Sequence, residues 1–129
     1  MLENILELLN VVKGDTENIK MAQDFESTGT QITNSETVLL TANSDDAIIG
    51  LRLANITASS VTVDIYIDKG GAGTDRYIAK TLSIPPSSSI ELIQGGAKIV
   101  LQNADVLYGI ASAASSVDAW LSRVDSIST

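Results

Sequence analysis

The sequence has neither cysteine nor histidine among its 129 residues. Without cysteine, the chain forms no disulfide, no thiolate nucleophile and no zinc site with sulfur ligands. Without histidine, it has no Ser-His-Asp triad, no imidazole general base and no imidazole ligand for a transition metal. We therefore expect a protein that is not an enzyme and that needs no cofactor and no metal ion.

Aromatic and basic residues are also scarce. Aromatic residues make up 4% of the chain, and 8 lysines and arginines stand against 16 aspartates and glutamates, which gives a formal charge of −8. An acidic surface repels phosphate backbones and anionic lipid headgroups. We therefore expect neither a nucleic acid nor a membrane as a partner.

The N-terminal stretch predicts neither a membrane span nor a secretory signal. The segment from Met1 to Val12 is too short to cross a bilayer, and it carries Glu3 and Glu7. It also lacks the basic start and the small-residue cleavage site of a signal peptide. We therefore expect the protein to be made in a cytoplasm.

Apolar residues in the first twenty positions recur at alternating three- and four-residue spacing, as in a coiled coil. This pattern predicts a helical arm over residues 1–24. A single helix this short is marginal alone, so it packs either on its own domain or on another subunit. The wide stripe suits more than two helices, and we predict a trimer. The predicted interface residues of the arm are Leu2, Ile5, Leu6, Leu9, Val12 and Ile19.

A polar segment and then a strand-like pattern follow the arm. Residues 25–36 are rich in Ser, Thr, Gly and Asn, which predicts an extended connector. From residue 37 apolar and polar residues alternate, most clearly over Val61 to Ile67. About eight short strands separated by turn signals predict a mainly β domain over residues 37–129, either an antiparallel β-sandwich or a jelly roll.

The glycine-rich loop between Asp68 and Asp75 is the most site-like stretch of the sequence. A phosphate-binding loop ends at a helix N-terminus, whereas this loop has strand patterns on both sides. Its glycines therefore favour a hairpin connection that needs positive φ angles. A Ca²⁺ ion shared by Asp68 and Asp75 stays open as an alternative, although no EF-hand spacing supports it.

The remaining polar residues form no catalytic pattern. Asp64 and Asp118 lie in predicted strands among polar neighbours, which is typical of a solvated face. Asp45 and Asp46 are adjacent in a predicted turn, and no serine has an activating base. The sequence from Asn55 to Thr57 fits a glycosylation sequon, which we interpret as accidental because no secretory signal accompanies it.

Four aromatic residues are candidates for an interface or for sugar stacking: Trp120, Tyr66, Tyr77 and Tyr108. In its predicted strand, Trp120 alternates with the apolar Ala119 and Leu121, so its side chain is expected to face away from the core. We therefore predict Trp120 to be an interface residue, covered by a partner or by the arm.

Several short segments of the predicted β domain carry a resemblance to known proteins. They include Thr37-Val38-Leu39-Leu40-Thr41-Ala42-Asn43, Ile49-Gly50-Leu51-Arg52-Leu53-Ala54-Asn55, Tyr77-Ile78-Ala79-Lys80, Ile84-Pro85-Pro86-Ser87-Ser88-Ser89, Glu91-Leu92-Ile93-Gln94-Gly95-Gly96 and Lys98-Ile99-Val100-Leu101-Gln102-Asn103-Ala104-Asp105. Together they cover about residues 37–124 and resemble small virion proteins of tailed bacteriophages. The resemblance implies a β-sandwich part of the particle, in capsid decoration, at the head–tail junction, in the tail or at a fibre base.

The sequence thus leads us to expect a structural virion component, made in the host cytoplasm and located in the virion. Its partners would be capsid or tail subunits, which it cements, and further copies of itself. The alternative is a host-surface glycan-binding module of a tail fibre or head fibre, with Trp120 and the tyrosines as stacking platforms.

Overall fold

The computed structural model describes residues 24–93, 96 and 98–128. This part of the chain forms nine strands and one short 3₁₀ turn, Lys69–Gly71, which confirms the predicted mainly β class. The strands are β1 (Asp24–Ile32), β2 (Thr37–Thr41), β3 (Asp45–Asn55), β4 (Val61–Asp68), β5 (Asp75–Ile84), β6 (Ser89–Ile93), β7 (Ile99–Leu101), β8 (Val106–Ala111) and β9 (Val117–Ser128).

The helical arm predicted over residues 1–24 lies outside the described residues, except for Asp24, which begins β1. The predicted interface residues Leu2, Ile5, Leu6, Leu9, Val12 and Ile19 lie outside them too. In the part that the structure describes, no helix is long and apolar enough to span a membrane.

The strands form two antiparallel sheets. Sheet A has the order β1-β9-β3-β6, with β7 also paired to β3, and sheet B has the order β2-β8-β4-β5. The chain changes sheet at every connection between strands except β4–β5 and β6–β7. In the paths β1-β9-β3-β6 and β2-β8-β4-β5, a strand from the end of the chain lies between two strands from earlier in the chain. These paths, together with the alternation between sheets, are the arrangement of a jelly roll.

The hydrophobic core lies between the inner faces of the two sheets. It is built from aliphatic side chains that alternate along the strands, as the period-two pattern predicted. Burial of each large side chain contributes on the order of 1.5–3 kcal/mol. The most deeply buried members come from both sheets and include Leu51, Leu53, Val63, Ile65, Leu107 and Leu121.

Residues 24–32 differ from the predicted extended connector over residues 25–36. They form β1, which pairs with β9 from Asp24 opposite Asp125 to Ile32 opposite Val117. Its side chains are exposed except for Thr30 and Ile32, so the strand has no apolar alternation that the sequence could reveal. Backbone hydrogen bonds to β9 hold this strand in the sheet.

The Arg123 guanidinium joins three strands at one end of sheet A. Its Nη1 donates to Asp46 Oδ2 at 2.7 Å, and its Nη2 donates to the Glu26 carboxylate. Asp46 is fully buried and also accepts a hydrogen bond from the Ser44 hydroxyl at 3.0 Å. The sequence predicted a turn here, whereas β3 already begins at Asp45, and the buried Asp46 is balanced by an arginine from β9.

Candidate functional site

A row of four residues crosses the outer face of sheet A. Gly29 of β1 lies opposite Trp120 of β9, Trp120 lies opposite Arg52 of β3, and Arg52 lies opposite Glu91 of β6. We call these four residues the tryptophan row. Trp120 is 55% exposed, which confirms that its side chain faces away from the core.

The indole of Trp120 lies close to the β1 backbone at Gly29. A Cβ atom at position 29 would stand 3.1 Å from the ring atom Cζ3 and 3.2 Å from Cε3. A hollow of about 270 Å³ lies on the Ser122 side of the ring, and one of about 370 Å³ lies on the Asp118 side. The ring therefore stands between two recesses, each large enough to receive a side chain of a partner.

Charged groups accompany the ring along the row. Arg52 Nη2 and Glu91 Oε1 form an ion pair, and both side chains are solvent-exposed. An exposed pair of this kind adds little to stability, so it can exchange partners at small cost. A tryptophan next to an arginine is the composition enriched at the centres of protein interfaces. The same arrangement of polar groups around an aromatic ring also suits a sugar.

A second row crosses the outer face of sheet B. Val38 of β2 lies opposite Tyr108 of β8, Tyr108 lies opposite Tyr66 of β4, and Tyr66 lies opposite Tyr77 of β5. We call these four residues the tyrosine row. The Tyr66 ring centroid is 5.3 Å from that of Tyr108 and 5.1 Å from that of Tyr77. Val38 and Tyr77 are each 50% exposed, whereas Tyr66 is buried between its neighbours.

Acidic groups raise the pKa values of two residues in the tyrosine row. Burial and a hydrogen bond to the Glu36 carboxylate raise the pKa of the Tyr66 hydroxyl well above its ordinary value. Burial and the charges of Glu36, Asp68 and Asp75 also raise the pKa of Tyr108. Both phenols therefore stay neutral, and the Tyr66 hydroxyl donates a hydrogen bond to the Glu36 carboxylate.

The four aromatic candidates thus form two separate groups. Trp120 lies on sheet A, and the three tyrosines lie together on sheet B. Sequence reasoning named all four but did not bring the tyrosines together, because Tyr77 and Tyr108 meet Tyr66 only through the register of strands that are distant in the chain.

The glycine-rich loop is the hairpin connection that the sequence predicted. Gly70, Gly71 and Gly73 have φ angles of 66°, 66° and 81°, which favour glycine. Asp68 Oδ1 accepts hydrogen bonds from the amides of Gly73 at 2.9 Å and Thr74 at 3.0 Å. The Asp68 side chain therefore joins the two ends of the glycine-rich loop. Within residues 24–93, 96 and 98–128, no group of three or more acidic side chains is arranged to hold a metal ion.

Asp105 fastens the glycine-rich loop to the connection before β8. Its carboxylate is almost completely buried and accepts hydrogen bonds from the Lys69 ammonium at 2.9 Å, the Gly70 amide at 2.7 Å and the Gln102 amide at 2.8 Å. Burial opposes ionisation, but these three hydrogen bonds outweigh it and hold the pKa of Asp105 below its ordinary value. Asp105 therefore serves as a structural anion between two loops.

The mid-strand carboxylates Asp64 and Asp118 lie on different sheets. Asp64 accepts hydrogen bonds from the Lys80 ammonium at 3.1 Å and the Thr81 amide at 2.7 Å. Asp118 is exposed and accepts a hydrogen bond from Gln31 at 3.3 Å. Since they belong to β4 and β9, they do not form a pair across one site.

The Asn55 side chain, which begins the sequon, is a buried structural group. Its Nδ2 donates to the carbonyl oxygens of Ser59 at 2.7 Å, Ile84 at 3.0 Å and Pro85 at 3.2 Å. Its Oδ1 accepts hydrogen bonds from the amide and the hydroxyl of Thr57 at 2.9 and 2.7 Å. With 2% exposure, Asn55 is closed to glycosylation in the folded chain, and it joins two loops.

Comparisons with known proteins give structural likenesses at low sequence identity. No protein-family model matches the sequence, and a search of curated proteins gives no match. A pentameric capsid protein from metagenomic phage sequences has a TM-score of 0.46 and 14% identity, over 80% of this chain and 64% of that protein, so the chain spans less than two thirds of its length. A pilus protein of Bacillus endospore appendages has a TM-score of 0.46 and 14% identity, over 83% of this chain and 88% of that one. VP2 of the infectious bursal disease virus subviral particle has a TM-score of 0.43 and 18% identity, over 79% of this chain and 30% of that one. These likenesses assign the chain to no family.

Proposed function

We propose that this protein is a structural component of a bacteriophage virion that packs against neighbouring capsid or tail subunits and cements them. The observation that carries the proposal is the tryptophan row, whose exposed indole stands between two recesses on the outer face of sheet A. The resemblance of residues 37–124 to small virion proteins supports the particle as the setting.

An additional exposed aromatic residue extends the apolar surface of the tryptophan row. Phe25 is 79% exposed and lies on the same face of β1 as Gly29, because side chains four positions apart in a strand share a face. A hollow beside Phe25 is lined by Ile49 and Ser122, which leads back to the Trp120 side of the sheet. Burial of each large apolar side chain in a partner contributes on the order of 1.5–3 kcal/mol. The face is thus suited to contact with another protein surface.

The helical arm predicted over residues 1–24 supplies a second contact in this proposal. Its stripe of Leu2, Ile5, Leu9 and Val12 would be buried against sister copies or against another virion protein. We propose a trimer as the self-associated state. Sedimentation of the full chain tests this, because Asp in place of both Ile5 and Leu9 should dissociate the trimer. A wild-type chain that sediments as a monomer contradicts the proposed role of the arm.

The Trp120→Ala variant tests the role of the tryptophan row. We expect phage particles to incorporate this variant less than the wild-type chain, because the aromatic side chain that packs against the partner is lost. Ile56→Ala is the matched control, since Ile56 is 53% exposed and lies outside the row. Incorporation is measured by quantitative mass spectrometry of purified particles, and cryo-electron microscopy locates the chain. Absence of the wild-type chain from particles would overturn the proposed function.

A glycan-binding module of a tail fibre or head fibre is the second candidate. It is favoured by the recess of about 370 Å³, in which Gln31, Arg52 and Asp118 surround the indole of Trp120 with hydrogen-bonding groups. A glycan array followed by isothermal titration calorimetry separates the two candidates. Specific sugar binding at millimolar affinity or tighter that disappears in Trp120→Ala would favour the glycan module.

A further inference from the structure

We infer that the tyrosine row on sheet B binds arginine side chains presented by a neighbouring protein subunit. This inference rests on the proposed function, and it adds the chemistry of the partner and a second face of the molecule. The tyrosine row lies on the opposite sheet from Trp120, so the two faces can be tested independently.

Three aromatic rings lie side by side in the tyrosine row, and they differ in exposure. Its members come from all four strands of sheet B, and the rings of Tyr66 and Tyr108 are stacked with an interplanar angle of 29°. The ring of Tyr77 is tilted by 44° from that of Tyr66 and remains half exposed. Tyr66 is buried by its neighbours, so Tyr77 and Val38 form the most accessible part of the surface.

The charges at the row favour a cation. The carboxylates of Glu36 and Asp75 both contribute to the raised pKa of Tyr66. Asp64 lies two positions before Tyr66 on β4, so both side chains are on the same face of the strand. The Lys80 ammonium offsets part of this charge and is 3.1 Å from Asp64. Carboxylates thus exceed ammonium groups among these contacts, and a partner of positive charge would complement them.

The chain itself already places one cation on an aromatic ring of the row. Lys80 Nζ lies 4.6 Å from the centroid of the Tyr77 ring. This distance is within the range at which the quadrupole of an aromatic ring attracts a cation. The exposed part of the row can therefore hold a second cation in the same manner, with the carboxylates of Glu36 and Asp75 as hydrogen-bond acceptors.

Arginine is the cationic side chain that fits this surface best. Its guanidinium is planar and weakly hydrated, so it stacks on aromatic rings while its N–H groups donate to nearby carboxylates. A lysine ammonium is a compact, strongly hydrated charge that gains less from a flat aromatic surface. The net charge of −8 further favours a basic partner.

The test uses the full chain and three peptides that share one Gly-Ser framework and carry arginine, lysine or citrulline at the same positions. Fluorescence anisotropy of the labelled peptides at low salt measures binding. We expect saturable binding of the arginine peptide, binding of the lysine peptide weaker by about threefold or more, and no saturable binding of the neutral citrulline peptide. Equal binding of the arginine and lysine peptides, or equal binding of the citrulline peptide, overturns the inference.

Variants locate the binding to the row. Tyr77→Ala should weaken binding of the arginine peptide by about tenfold, and the double variant Glu36→Gln with Asp75→Asn should weaken it by a similar factor. Ile56→Ala is the control, because Ile56 is 53% exposed and lies outside both rows, and it should leave binding unchanged. Circular dichroism confirms that each variant is folded. A Tyr77→Ala variant that binds the arginine peptide as the wild type does would overturn the inference.

Failure of this inference can be told apart from failure of the proposed function. If the wild-type chain is found in particles and Trp120→Ala reduces its incorporation, the proposed function stands whatever the peptides show. If the arginine peptide binds at Tyr77 and the chain is absent from particles, the row is a binding site and the virion setting is wrong.

Discussion

Trp120 and Gly29 face each other across the β1–β9 pair, and the indole occupies the space where a side chain at position 29 would begin. The Gly29→Ala variant should therefore move the ring, because a Cβ 3.1 Å from Cζ3 is closer than ordinary contact. Since Trp120 is exposed and can shift, we expect the free energy of unfolding to change by no more than about 1 kcal/mol. The emission maximum of the single tryptophan should shift.

Gly50→Ala is the matched control for the Gly29 variant. Gly50 also lies on sheet A, but a Cβ there would meet the Ser122 side chain at 3.8 Å, an ordinary contact distance. This control should leave the fluorescence of Trp120 unchanged. An identical emission spectrum in Gly29→Ala and wild type would show that Trp120 does not rest on Gly29 in solution.

Two side chains of the core lie close to the backbone of β8 at Gly109. A Cβ at this position would stand 3.0 Å from Ile32 Cδ1 and 3.2 Å from Ile65 Cδ1. Both isoleucines are fully buried, so neither can move freely into solvent. Gly109→Ala should lower the free energy of unfolding by about 1–3 kcal/mol because it overpacks the core. Urea unfolding measures this loss, and a stability equal to that of wild type would contradict the packing described for β8.

Asn55 should be essential to the stability of the fold. The Asn55→Ala variant leaves buried carbonyl groups near Ile84 and Ser59 without their donor, and each unpaired buried group costs about 1–3 kcal/mol. We expect a loss in this range or above it in urea unfolding. Asn103→Ala, at an exposed position, is the control and should stay within about 0.5 kcal/mol of wild type. Equal stabilities of the two variants would refute the role given to Asn55.

The lowered pKa of Asp105 makes part of the stability depend on pH. The folded chain holds this pKa below the value of 3.8 for a free carboxyl, so its ionisation stabilises the fold above that pH. The stabilisation is lost as the pH falls through the folded pKa. Asp105→Asn should therefore be less stable than wild type at pH 7, and the difference should narrow on acidification below about pH 4.

Urea unfolding at several pH values between 7 and 2.5 measures the effect of Asp105. Asn103→Ala serves as the control because it changes no ionisable group in the same connection, so its difference from wild type should not vary with pH. If the difference between Asp105→Asn and wild type is the same at pH 7 and pH 2.5, the ionic role of Asp105 is wrong.

The sequence predicts local features of this fold better than long-range ones. The alternation over Val61 to Ile67, the outward side chain of Trp120 and the positive φ angles of the glycine-rich loop follow from neighbouring residues alone. The sequence predicts a connector over residues 25–36 and misses the strand Asp24–Ile32, because the side chains of this strand are mostly exposed and its stabilising hydrogen bonds come from β9. Its composition therefore held no signal of pairing.

The buried polar residues Asp46 and Asn55 and the tyrosine row also could not be predicted from local sequence. From its neighbours in the sequence, Asp46 is predicted to be a turn residue. Its burial in a strand depends on the ion pair with Arg123, which lies far along the chain. From its neighbours in the sequence, Asn55 is only the first residue of a sequon. Its structural role comes from hydrogen bonds to the carbonyl groups of Ile84 and Pro85, which are distant in the chain. Tyr66, Tyr77 and Tyr108 become one surface only when the registers of β4, β5 and β8 are known. Each of these features depends on strand pairing, which no local pattern encodes.

The position of β9 between β1 and β3 has a consequence for biogenesis. Sheet A joins the first described strand to the last, so neither β1 nor the facing edge of β3 has its native neighbour until β9 has been synthesised. Loop closure over so much of the chain slows folding, and open strand edges pair readily with other chains in the meantime. Nascent chains are therefore expected to be most prone to aggregation before β9 has been synthesised, and least prone once β9 has closed the sheet.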